Sequence, residues 1–272
     1  MTTLSLDHAI AKFLQVGALF SVDARRQFAE QASQGVEYLM AHIHHTDVIA
    51  AFREGSFEKP NFEAFSGHSF GDSESAFNPV FHRLIDTVRP RLVIEVGTWF
   101  GTSAVIMATR MKQLGIKGKI LCVDDFNGWP PIWKDSAFPR TPYGKPLIYE
   151  AYLQRILDRG LEDYIIPVPT TSSHAYWYFT QMGMQADLIY IDATHDERSV
   201  SGDLLGYYAC MRDGGLMFGD DYTLYRYGYH PVKTAVDRFA QEWDLPLHTH
   251  DEKWVIEARM PFLKDVSKGT TR

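Results

Sequence analysis

The first fifty residues place Phe28, Ala32, Val36, Leu39 and Ile43 at three- or four-residue steps, which predicts a helix with one apolar stripe. Ile10, Phe13 and Leu14 repeat that spacing earlier. Residues 55–79 break the rhythm with Gly55, Pro60, Gly67, Gly71 and Pro79. Their phenylalanines, Phe57, Phe62, Phe65 and Phe70, predict a cover segment lying on the rest of the protein. A short helix is expected from about Asn78 to Val88, stopped by Pro90. From Arg91 onward, short apolar runs alternate with helical lengths. Leu92–Val96, Lys119–Asp124, Tyr164–Val168, Asp187–Asp192 and Gly215–Gly219 read as five strands, with a helix from Gly97 to about Gln113. Such uninterrupted apolar strands imply a parallel sheet covered on both faces. Leu245–Thr249 and Trp254–Ile256, joined by polar His250-Asp251-Glu252-Lys253, read as a closing hairpin.

Composition adds boundaries. At 272 residues, 45% hydrophobic and 22% charged, the chain is an ordinary globular protein, long enough for one large domain with an appendage or for two modest domains. The expected division is a helical extension and cover loop over 1–77 and an α/β domain over 78–272. The latter is a Rossmann-like, seven-stranded, mostly parallel sheet ending in the antiparallel hairpin. No run approaches the ~20 apolar residues of a membrane helix. The first residues lack the basic and apolar regions of a signal peptide. Cys122 and Cys210 sit in apolar stretches and read as buried thiols of a reducing compartment, so a cytoplasmic location is expected. A net charge of −7 without a basic run argues against nucleic acid as a partner.

The first strand ends in Glu95-Val96-Gly97-Thr98-Trp99-Phe100-Gly101-Thr102-Ser103. Its E-x-G-x-x-x-G spacing is not the G-x-G-x-x-G of dinucleotide binders, and Glu95 stands where a phosphate would sit. That suits a cationic ligand; the bland alternative is a bare strand–helix turn. The second strand ends in Asp124-Asp125, acids placed to accept ribose hydroxyls. Thr170-Thr171-Ser172-Ser173 follows the third strand, as an adenine contact or simply a helix N-cap. Together these residues resemble the S-adenosylmethionine site of class I methyltransferases over about residues 78–258. The resemblance implies Gly97 and Gly101 under the methionine moiety, Glu95 near its amino group and Asp124 on the ribose. It draws Thr98, Thr102, Ser103, Asp125, Ser172, Ser173 and Asp192 into the cofactor crevice.

The fourth strand runs into Asp192-Ala193-Thr194-His195, and the fifth ends in Gly219-Asp220-Asp221-Tyr222. Neighbouring parallel strands deliver their carboxyl ends to one edge, so Asp192, Asp220 and Asp221 should converge beside the cofactor. Three carboxylates in one crevice repel unless a cation joins them, and an all-oxygen set selects Mg²⁺, with Mn²⁺ or Ca²⁺ as substitutes. Capping or solvated acids are the alternative. The arrangement D-x-x-H followed by G-D-D resembles metal-dependent O-methyltransferases acting on sugar hydroxyls in macrolide and related natural-product pathways. That resemblance implies Asp192, Asp220 and Asp221 as metal ligands and His195 as general base. The family often carries Glu-Asp where this chain has Asp220-Asp221, which shortens one arm.

The reaction so implied is metal-assisted methylation of a hydroxyl on a small secondary metabolite or sugar. Rival readings are a catechol-type O-methyltransferase with Lys233 as base, a cofactor-binding accessory protein, and an NAD-dependent dehydrogenase disfavoured by its missing glycine motif. The aromatic, proline-rich insert after the second strand (Phe126, Trp129, Trp133, Pro139, Pro142, Pro146) is too irregular for a helix and reads as a substrate lid or a packed loop. Tyr222, Tyr225, Tyr227, Tyr229 and His230 offer a second wall. His42 and His45 read as surface or interface histidines, and the N-terminal helices are expected to cap the site or pair subunits in a homo-oligomer.

Overall fold

The computed structural model describes residues 79–259. Helix α1 (Pro79–Val88) leads into β1 (Leu92–Val96), with Pro90 between them as the sequence requires. Then follow α2 (Thr102–Gln113), β2 (Lys119–Asp124), α3 (Pro130–Lys134), α4 (Ile148–Asp158), β3 (Ile165–Pro169), α5 (Ser172–Gln181), β4 (Ala186–Ile191) and α6 (Glu197–Tyr208). The last elements are β5 (Met211–Gly219), α7 (Pro231–Glu242), β6 (Leu247–His250) and β7 (Lys253–Glu257). The seven strands form one sheet in the order β3-β2-β1-β4-β5-β7-β6. β1 pairs in parallel with β2 on one side and β4 on the other, and β7 runs antiparallel to both β5 and β6.

Both faces of the sheet are covered, which is why the central strands read as unbroken apolar runs. Leu92, Ile94 and Val96 face α5, α6 and α7 together with Leu121, Val123, Ile189 and Met217. Val93, Cys122, Leu188, Tyr190 and Phe218 face α1, α2 and α4. Each fully buried Val, Ile or Leu contributes roughly 1.5–3 kcal/mol relative to exposure. The strand alternation that builds these faces also aims the polar residues. Glu95 lies on the α2 side, beside Cys122 and Tyr190 in register.

Two local expectations change. The insert after β2 contains a one-turn helix, α3, which starts on Pro130 and Pro131, where a missing N–H costs nothing. Lys253 belongs to β7 rather than to the polar link of the hairpin, so its side chain turns inward. The expected 1–77 extension, its cover loop, the His42–His45 cluster and any subunit contact through those helices fall outside the described residues. Among the described residues, no helix is long and apolar enough to cross a membrane.

Helix α6 carries one buried acid, Asp203, which accepts a hydrogen bond from the Ser172 hydroxyl at the start of α5. Tyr207 Oη donates to the Ser172 carbonyl oxygen at 3.1 Å and locks the same corner. Burial pushes the Asp203 carboxyl up to about 6 from 3.8. A raised folded-state pKa means that stability is fullest below the unfolded value and falls as pH rises through the folded one. The loss is roughly 3 kcal/mol across that window. Asp203→Asn, which keeps an acceptor for Ser172, should therefore raise the melting temperature at pH 8 and leave it nearly unchanged at pH 4. Equal melting shifts at both pH values would remove the buried charge as the cause.

Candidate active site

The loop after β1 is shaped first by backbone crowding. Gly97 N–H donates to the Val123 carbonyl at 2.8 Å, and Asp192 N–H donates to the Val96 carbonyl at 2.8 Å. The end of β4 therefore passes directly over Gly97. A Cβ at Gly97, where φ is +85°, would lie 2.3 Å from the Asp192 carbonyl oxygen and 2.4 Å from Ala193 Cα. Gly101, at φ +81°, caps α2, and a Cβ there would meet the Tyr152 ring at 2.9 Å. Each glycine thus has a packing reason beyond any ligand.

The acids near this loop are already engaged by the chain. Glu95 is fully buried and accepts hydrogen bonds from Thr98 Oγ1 at 2.6 Å and from Ser103 Oγ. Burial pushes its carboxyl above the usual range, against the pull of those hydroxyls. Asp124 Oδ2 accepts the backbone N–H groups of Thr98 (3.1 Å) and Trp99 (2.9 Å), and Oδ1 accepts that of Phe126 (2.8 Å). Asp124 therefore pins the glycine loop to the end of β2, and its carboxyl also lies above the ordinary value because of burial. Asp125 is exposed and accepts one bond, from Asn127 N–H at 2.9 Å. Thr102 and Ser103 open α2 half-buried beside the loop. At α5, the Thr171 side chain caps the helix by accepting from His174 N–H, Ser172 turns inward to Asp203, and Ser173 is exposed. Thr171 is the N-cap of α5, and both Thr171 and Ser173 are exposed.

At the neighbouring strand ends the structure gathers Asp192, His195 and Asp221. One ligand atom from each lies within 4.8 Å of the others. His195 Nδ1 faces Asp221 Oδ2 at 3.0 Å, which fixes the ring and leaves Nε2 on its far side. That hydrogen bond raises the His195 pKa above 6.5, against the effect of burial. For Asp221 burial acts upward, but the hydrogen bond and charge of His195 prevail and hold its carboxyl below the ordinary value. Asp221 also sits at φ +58°, a left-handed conformation uncommon for a residue with a Cβ. Asp192 Oδ2 accepts from Tyr190 Oη at 2.9 Å. Burial first, and Asp220 second, push the Asp192 carboxyl up to about 7.

Asp220 stands apart from that trio. Its Oδ2 is paired with Lys253 Nζ, and its buried Oδ1 has no hydrogen-bond partner. Lys253, only 6% exposed, also donates to Tyr190 Oη at 3.2 Å. It is the functional neighbour that sequence reasoning missed. The available signal was period-two alternation from Val255, which sends residue 253 to the same inner face. Lys233, the lysine singled out from sequence, instead donates to Tyr222 Oη and Asp237, each at 2.8 Å.

The segments that follow β2 and Asp221 carry exposed aromatic residues. Trp129, Trp133 and Tyr143 of the insert are exposed, as are Tyr225, Tyr227 and Tyr229 after the acids. Arg140 stitches the insert together. It donates to the Ile132 (2.7 Å) and Gly144 (3.1 Å) carbonyls and lies 5.2 Å from the Trp133 ring centroid.

Comparisons with known proteins agree with this frame. Residues 94–222 match the family model described as a methyltransferase domain. The O-methyltransferase NovP is similar in structure, at 19% identity, covering 66% of this chain and 78% of its own, with a TM-score of 0.50. The O-methyltransferase TomG from Streptomyces achromogenes, solved with S-adenosylmethionine, is 13% identical over 77% of this chain and 96% of its own, with a TM-score of 0.48. No curated protein matches the chain.

Because the Gly97 constraint comes from the β4 backbone, which cannot move without opening the sheet, Gly97→Ala should be among the most damaging single changes. A loss of stability above about 3 kcal/mol is expected, read as insolubility or a collapsed denaturant midpoint. A soluble Gly97→Ala protein of ordinary stability that merely binds cofactor less well would show that a ligand, not β4, sets the requirement.

Proposed function

We propose that the chain is a class I S-adenosylmethionine-dependent methyltransferase and that it methylates a hydroxyl oxygen of a small metabolite or sugar with the help of a divalent cation, a reading supported by the methyltransferase-domain match over residues 94–222. The observation that carries the reading is the convergence of Asp192, His195 and Asp221 at the sheet edge that also presents the Gly97–Gly101 loop. Two carboxylates with a histidine beside them are a hard donor set that fits Mg²⁺ or Mn²⁺. A cation there would supply the positive charge that makes a neighbouring hydroxyl more acidic, and the sulfonium cofactor would supply the methyl group.

The protein's own residues take the remaining roles. Glu95, Thr98 and Ser103 form the polar floor of the loop, and half-buried Thr102 at the start of α2 faces the methionine end. Asp124 keeps the loop in shape and retains lone pairs for the ribose hydroxyls, with exposed Asp125 and Ser173 beside it for ribose and adenine. Asp192 lies between the two subsites. Asp221 spends Oδ2 on His195, which leaves Oδ1 for a cation. With Nδ1 turned to Asp221, His195 accepts the hydroxyl proton at Nε2. Exposed Trp129, Trp133 and Tyr225 suit a sugar ring or a planar aglycone. Lys233 is engaged by Tyr222 and Asp237, which does not favour the catechol-type reading. The buried thiols Cys122 and Cys210 suit a cytoplasmic location.

Calorimetric titration of S-adenosylhomocysteine, with and without Mg²⁺ after EDTA treatment, tests the cofactor assignment; absence of binding in both conditions would overturn it. Asp192→Ala should abolish metal-dependent turnover and Mg²⁺ binding. His195→Ala should lower kcat by roughly 10²–10⁴ with cofactor affinity retained, and unchanged turnover across the pH range would remove it as base. Since Asp192 titrates near 7, protons compete with the cation below that pH. Mg²⁺ binding should weaken by up to tenfold per pH unit on acidification from 7, and a flat profile between pH 5.5 and 8 would count against Asp192 as a ligand.

A further inference from the structure

We infer that Lys253 is the resident counter-cation of the site: it claims Asp220 and so leaves Asp192 and Asp221 as the carboxylates open to an added metal. Strand alternation carries the argument. Tyr190 on β4 with Asp192 just past its end, Phe218 on β5 with Asp220 just past its end, and Val255 and Lys253 on β7 share one face of the sheet, toward α1. β7 is hydrogen-bonded to β5, so Lys253 reaches the carboxyl edge from the side opposite β4. Its stem is buried, and its ammonium lies 5.2 Å from the Phe81 ring centroid and 5.4 Å from that of Tyr190. A lysine this deep is retained only if paired. Its partners are Asp220 Oδ2 and Tyr190 Oη, and Tyr190 Oη in turn donates to Asp192 Oδ2.

Charge gives the consequence. Three carboxylates and one ammonium leave two uncompensated negative charges, matched by a single divalent ion with His195 neutral. Asp220 is balanced within the fold. Lys253 therefore acts as a positioning residue: it keeps Asp220, the first acid of the G-D-D run, away from the metal. This assignment rests on the metal-site reading above, and the experiment separates the two.

Mn²⁺ is titrated calorimetrically into EDTA-treated, full-length wild type, Asp221→Asn, Asp220→Asn, Lys253→Met and the Asp220→Asn/Lys253→Met double variant. The melting temperature of each metal-free protein is recorded alongside. Asp221→Asn should weaken Mn²⁺ binding by more than about tenfold, whereas Asp220→Asn should change it by less than about threefold. On the Lys253→Met background the freed Asp220 joins the cation, so adding Asp220→Asn there should cost about tenfold. Lys253→Met alone should melt lower because it buries an unpaired carboxylate, and the double variant should recover most of that loss. Asp220→Asn weakening Mn²⁺ as severely as Asp221→Asn would overturn the proposal. So would an equal effect of Asp220→Asn in both backgrounds. If Lys253→Met does not fold, the comparison of Asp220→Asn with Asp221→Asn in the wild-type background still decides it. Failure of wild type to bind Mn²⁺ would sink the metal-site reading, and recovery of melting in the double variant would then still support the Lys253–Asp220 pair, while no recovery would overturn it.

Discussion

The close passage of the β4 terminus over Gly97 is the contact on which the rest of the site depends. The Asp192 amide is bonded to the Val96 carbonyl, and the space where a Cβ would sit at Gly97 is filled by the Asp192–Ala193 backbone. One side of that contact is the loop that leads into α2; the other is the first acid of the carboxylate cluster. Their separation is therefore fixed by main-chain geometry rather than by mobile side chains. This is what methyl transfer from a cofactor to a held oxygen requires, because misplacement of reacting atoms by about an ångström costs orders of magnitude in rate. Asp124 reinforces the arrangement from β2 by accepting the Thr98 and Trp99 amides.

Much of the fold was legible because a doubly covered parallel sheet writes itself as uninterrupted apolar runs. Leu92–Val96 and Asp187–Ile191 are such runs, and their ends mark the edge where chemistry collects. The alternation that hid Lys253 was present as well, but charge masked it: a lysine beside His250-Asp251-Glu252 reads as part of a polar link. Only the pairing of β7 with β5 discloses that its ammonium is turned inward. The short α3 escaped notice for the opposite reason, since Pro130-Pro131 signals a break in a chain but also starts a helix well.

Individual site residues were less legible than their neighbourhood. Composition and spacing identify which acids arrive at the edge, not which of them are already satisfied by the protein. Asp124 and Asp125 are adjacent, yet one is held by backbone amides and the other is exposed. Ser172 and Ser173 divide similarly, one serving Asp203 and one the surface. Such divisions turn on the last turn of backbone before a helix, where a single residue changes the direction of a side chain, and no periodicity reports them.

The cluster has two ways to shed its surplus negative charge, and they are mutually exclusive. Without a cation, Asp192 takes up a proton near neutrality, because burial and Asp220 outweigh the pull of Lys253. On the proposed metal reading, a bound ion would take the place of that proton and reduce the pull of Asp221 on a proton at His195. A cation there would therefore favour the neutral imidazole that the base role proposed for His195 needs. Lys253 is already paired with Asp220, the acid outside the Asp192–His195–Asp221 group, and so would leave that exchange to Asp192 and Asp221. On the proposed reading, metal occupancy and the protonation of His195 would thus be linked through three carboxylates at the ends of two adjacent strands.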